Sequence, residues 1–78
     1  MRKKNIVGKN IQAARKKATP AVTQLDLVAR LDLLGVKIDQ STLSKIENGQ
    51  RPVSDVEVSA FAKALKMPIS SLYGEKPE

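Results

Sequence analysis

The chain contains neither cysteine nor histidine among its 78 residues. Thiolate nucleophiles, imidazole bases, Cys/His metal sites and disulfides are therefore ruled out together. The carboxylates Asp26, Asp32, Asp39, Asp55 and Glu57 fall at turns and helix starts, where capping and solvation account for them, and no glycine-rich phosphate loop occurs. Neither an enzyme, a metal site nor a cofactor is expected. What remains is hydrogen-bonding chemistry. Gln40, Ser41, Thr42, Ser44 and Lys45 crowd amide, hydroxyl and ammonium groups into one short stretch, with Thr23 and Gln24 before it and Asn48, Gln50 and Arg51 behind it. Such groups donate and accept hydrogen bonds without reacting.

These side chains need a scaffold, and the sequence reads as helices throughout. Asn5 is the expected cap of a first helix over about Ile6 to Lys17, with Val7, Ile11, Ala14 and Ala18 at helical spacing, stopped by Thr19-Pro20. Thr23 caps a second, from about Gln24 to Leu34, whose apolar stripe of Leu27, Val28, Leu31 and Leu34 ends at Gly35. Asp39 caps a third, in which Leu43 and Ile46 face inward, Gln40, Ser41, Ser44 and Lys45 face outward, and Gly49 terminates the run. Ser54 and Glu57 form a capping box that starts a fourth helix with Val58, Phe61, Ala62 and Leu65 on its buried stripe. After Met67-Pro68 a last turn carries Ile69, Leu72 and Tyr73. Nothing reads as a strand.

A chain this short forms one domain and buries only about 60% of the surface its unfolded form exposes, so packing must be economical. The expected division is a basic flexible arm at residues 1–4, a domain at 5–74 and a disordered tail at 75–78. Net charge is +6, and its distribution is uneven: residues 1–17 hold seven basic groups and no acidic one, while the rest hold seven basic and eight acidic. The amino end therefore attracts polyanions, although a basic tail also serves solubility alone. No apolar run approaches the roughly 20 residues of a membrane span, and a cytoplasmic protein is expected.

The run Ser41-Thr42-Leu43-Ser44-Lys45-Ile46-Glu47-Asn48-Gly49, preceded by Thr23-Gln24 and by Arg15 late in the first helix, and followed by Ala62-Lys63-Ala64-Leu65, resembles the phage-repressor or Cro-like helix-turn-helix family, also called Xre. The resemblance covers roughly Val7 to Tyr73. It implies an all-α, compact, five-helix lambda-repressor-like domain with its helix-turn-helix at helices 2 and 3. It also implies a DNA-binding transcriptional regulator, a repressor or an activator, that binds double-stranded DNA as a homodimer.

By that resemblance the third helix enters the major groove, which demands small or polar side chains on its outer N-terminal half. Gln40, Ser41, Thr42, Ser44 and Lys45 then become base contacts. A glutamine can bond adenine N6 and N7 together, and Lys45 can reach a guanine O6 or N7, or a phosphate. Thr23 and Gln24, at a helix N-terminus, suit a phosphate, as do Asn48, Gln50 and Arg51 beyond the third helix. Arg15 and Glu47 match a structural ion pair of the family. A solvated helix turn for Gln40 and Ser41, an ordinary polar loop for Asn48 to Arg51, and direct DNA contact by Arg15 are the competing readings.

Two departures stand out. Thr19-Pro20-Ala21 lengthens the link before Val22, and Asp32 to Lys37 intervenes where the family has a few residues. If helix 2 gains a turn, the connection stays tight at Gly35. If the extra residues form a wider loop, Lys37 points at the DNA and becomes a further phosphate contact. A protein-interaction or antitoxin-like module on the same fold is the alternative function.

Overall fold

The computed structural model describes residues 3–74. Arg2 of the expected arm and the tail at 75–78 lie outside the described residues. Five helices follow one another, with no strand among the described residues: α1 (Gly8–Lys17), α2 (Gln24–Leu33), α3 (Gln40–Glu47), α4 (Asp55–Ala64) and α5 (Ile69–Leu72). α3 packs against α1 and α2, α4 against α2 and α5, and α5 closes on α1. The core comprises Val7, Ile11, Leu27, Leu31, Leu43, Ile46, Phe61 and Leu72, each less than 3% exposed. Each such side chain contributes about 1.5–3 kcal/mol by leaving water.

Local chemistry sets the helix starts. Thr23 accepts from the Asp26 backbone N–H while the Asp26 carboxylate accepts from the N–H of Thr23, a capping box. Ser54 and Glu57 form the second such box, as expected. Asp39 caps α3 by accepting from the Thr42 N–H at 2.7 Å. The ends are equally well specified. After α2 the Val36 N–H reaches Leu31 O and the Gly35 N–H reaches Asp32 O, with Gly35 at φ +87°. α3 ends the same way on Gly49, at φ +75°, and α4 on Lys66, at φ +57°.

The helix bounds differ from expectation in places, for identifiable reasons. α1 starts at Gly8 rather than Ile6, because Asn5 Oδ1 takes the Gly8 N–H and the first regular turn forms after it. α2 stops at Leu33, and Leu34, expected on the buried stripe, is its C-cap and 45% exposed. Ile69 and Tyr73 are also exposed, so Leu72 alone buries α5. Of the six extra residues only Asp32 and Leu33 extend α2 as helix; Leu34 and Gly35 form a tight turn after it, and Val36 and Lys37 belong to the connection into α3.

Candidate nucleic-acid interface

Buried at the junction of α1, α2 and α3 lies an ion pair. Arg15 Nε and Nη2 donate to Glu47 Oε2 and Oε1, both at 2.9 Å, and Arg15 Nη1 donates to Val22 O. The Glu47 side chain is 1% exposed. This two-pronged geometry satisfies both charges where water does not reach. It fastens the last turn of α3 to α1 and to the segment entering α2.

The same carboxylate continues outward. Gln24 Nε2 donates to Glu47 Oε1 at 3.1 Å, and Gln40 Nε2 donates to Gln24 Oε1 at 3.2 Å. A carboxylate can only accept, so its burial fixes the order of the chain: Gln24 must turn its NH₂ inward and its carbonyl outward, and Gln40 must then offer its own NH₂. Gln40 keeps a free carbonyl oxygen and a second N–H at the surface. That is the acceptor–donor pair needed to meet adenine N6 and N7.

Around this relay the outer face of α3 is polar and shallow. Gln40, Ser41 and Lys45 are exposed, and Thr42 and Ser44 half-buried, while Leu43 and Ile46 anchor the opposite face in the core. Thr23 is exposed at the start of α2, Lys37 is exposed between the two helices, and Asn48 and Gln50 are exposed after α3. The cap hydrogen bond from Asp39 holds its carboxyl below the usual range, chiefly through the Thr42 backbone N–H, and the Thr23 N–H does the same for Asp26.

Arg51 is placed differently from a free loop cation. Its Nη1 and Nη2 donate to Glu57 Oε1 and Oε2 at 3.2 and 3.0 Å, and Nη1 also donates to Pro52 O. Its Nε–H and one Nη2–H are left for another acceptor. The pairing pulls the Glu57 carboxyl below its usual range, the Arg51 hydrogen bonds contributing most.

Four residues outside the expected set hold the end of α3 and the turn after it in place. Asn5 Nδ2 donates to Ile46 O and Arg51 O, so one amide ties the start of α1 to both sides of the turn after α3. Gly8 lies directly against Ile46 O, and any Cβ there would overlap that carbonyl. Lys3, placed by the sequence in a flexible arm, donates from Nζ to Asn48 O at 2.7 Å, and the Lys4 N–H donates to Gly49 O. An ammonium at a helix C-terminus meets both its unpaired carbonyls and the negative end of its dipole. Asn5 read from sequence only as a cap; Gly8 gave no signal, since its requirement comes from a residue 38 positions away.

The sequence pattern of the helix-turn-helix family matches residues 22–72, from Val22, two residues before α2, to the last residue of α5. The chain belongs to the Cro and Xre type of that family. It is a DNA-binding regulator of the helix-turn-helix kind with the lambda-repressor-like arrangement of five helices. Searches of curated proteins and of solved structures gave no match. No helix among the described residues is long and apolar enough to cross a membrane.

Proposed function

We propose that this regulator is a repressor that binds operator DNA in the cytoplasm as a homodimer, each protomer laying α3 in the major groove. The observation that carries the reading is the relay from Glu47 through Gln24 to Gln40, which presents an oriented amide at the exposed start of α3. In this reading Gln40, Ser41, Thr42, Ser44 and Lys45 meet base edges. Thr23, Gln24, Lys37, Asn48, Gln50 and Arg51 meet phosphates, with Arg51 using the N–H groups its pairing with Glu57 leaves over. Gln24 has one N–H to spare beyond the relay, so positioning Gln40 and touching a phosphate are compatible. Repression follows from occupying DNA that a polymerase needs.

Selection of bound sequences from random DNA tests this. Two inverted half-sites about one helical turn apart are expected. Affinity should fall by roughly 10³–10⁵ between about 50 and 200 mM salt if the dimer makes about 6–10 phosphate contacts. Failure to enrich any sequence, together with a nearly flat salt dependence, would leave the fold as a protein-interaction module instead.

A further inference from the structure

The residues that lengthen α2 and its exit beyond the family spacing do more than connect. Leu34 and Val36 come to lie beside the first two turns of α4 and, with Val56, Ser59 and Ala60, line a groove of about 340 Å³. Its apolar rim faces solvent: Val56 is 67% exposed and Leu34 45%, and Leu33, adjacent in the chain, is 87% exposed. Single exposed apolar residues are ordinary, but a concave group of them marks a contact surface.

The charges around the groove identify what fits it. Asp55 and Lys63 both line it, eight residues apart on α4 and thus roughly 12 Å along the helix, with Ser59 midway. A second α4 laid antiparallel, with a two-fold axis at Ser59, sets Asp55 of each copy against Lys63 of the other. Ser59, small and half-buried, sits at the crossing point with the buried Ala60 as the floor of the groove beside it, so no bulky side chain keeps the two helices apart. Val56 of each copy then meets apolar surface of the other. An acidic or a basic partner would match one end of this rim and oppose the other end. A surface complementary to itself is what a two-fold contact requires.

We infer that the α4 groove, completed by the lengthened end of α2, is a self-association face that seats a second copy of this chain. The inference rests on the homodimer in the proposed function and on none of its DNA contacts.

Sedimentation of the full chain tests it with Asp55→Lys, Lys63→Asp and an equimolar mixture of the two. The wild type should dimerise. Each single variant places like charges opposite one another at both ends and should weaken self-association at least about tenfold. The mixture should recover a 1:1 heterodimer, because one copy then carries two basic rim positions and the other two acidic ones. Val56→Glu should also give a monomer, with circular dichroism reporting intact helices in every variant. The face is overturned if the wild type stays monomeric at all concentrations, if the singles dimerise like the wild type, or if mixing restores nothing. Operator binding is measured separately: the sedimentation pattern with no sequence-specific binding would uphold this face while removing the DNA reading, and specific binding by single variants that still dimerise would do the reverse.

Discussion

Two arginine–glutamate pairs bracket the exit of α3, and they are chemically alike: each arginine grips both oxygens of a carboxylate at 2.9–3.2 Å. Their surroundings separate them. The side chains of Arg15 and Glu47 are 10% and 1% exposed, those of Arg51 and Glu57 34% and 16%. Glu47 sits where three helices meet and also accepts from Gln24, so its charge orders a path leading to the outer face of α3. Glu57 serves its own helix start, closing the box with Ser54. One pair is a joint between elements; the other stiffens a loop. The consequence of losing a partner follows from burial more than from distance, because a stranded charge is costly only where water cannot reach it.

The largest effect is therefore expected at the buried pair. Arg15→Ala and Glu47→Ala should each destabilise the fold by about 3–5 kcal/mol, and the double variant by clearly less than the sum, since both losses have one cause. Thermal unfolding of the three variants measures this directly, and additive losses would break the pairing. Replacing both residues by apolar ones, Arg15→Met with Glu47→Leu, should come close to wild-type stability. That variant would still lack the carboxylate that orients Gln24, so its base preference should relax even with the fold intact.

Next in size is the end of the relay. Gln40→Ala should cost about 1–3 kcal/mol on the preferred operator and relax discrimination at one base pair of each half-site. Binding to a panel of single-base operator variants reads both effects. Retention of the full parental preference would show that the start of α3 is not docked on the base edges. Arg51→Ala should behave differently. Its pair is partly solvated, so stability should change by no more than about 1 kcal/mol, and DNA affinity should fall similarly for all sequences, with the salt slope reduced by about one contact per subunit.

The asymmetry between the pairs also explains what the sequence could reveal. Helix starts were legible because they depend on neighbours: Thr23, Asp39 and Ser54 each cap the helix that follows. The ends of α2 and α3 were legible through Gly35 and Gly49 and that of α4 through Lys66-Met67-Pro68, although nothing marked Lys66 itself as left-handed. The polar outer face of α3 followed from periodicity, and Arg15 with Glu47 from the family resemblance, since nothing local connects residues 32 positions apart. For the same reason the Gln24–Gln40 link, the grip of Asn5 on Ile46 and Arg51, and the contact of Gly8 with Ile46 O could not be read in advance. The pairing of Arg51 with Glu57 was not legible either, because Glu57, six residues on, was already accounted for as a capping residue. The Gly8 contact supplies a further check: Gly8→Ala should destabilise by about 1–3 kcal/mol through forced displacement of the turn after α3, despite alanine's better helix propensity.

The smallest effect concerns acid, and it distinguishes the outer pair by its titration. Arg51 holds the Glu57 carboxyl below its ordinary value of 4.5 in the folded protein. A carboxyl with a lowered folded-state value binds fewer protons folded than unfolded, so its contribution is fully present above about 4.5 and disappears as pH falls through the lowered value. Asp39 and Asp26 follow the same sign through the N–H groups they cap, from an ordinary 3.8. Stability should thus be level from neutrality down to about pH 5 and decline below it. Glu57→Gln keeps a hydrogen-bonding side chain at the box and removes the titration, so it should flatten part of that decline while lowering stability slightly at neutral pH. Amide exchange in the first turn of α4 localises the effect: its protection should fall in acid in the wild type and change less in Glu57→Gln. If acid instead opened the first turn of α4 equally in both proteins, the link between Arg51 and Glu57 would contribute nothing to that helix start, and the contrast between the two pairs would reduce to burial alone.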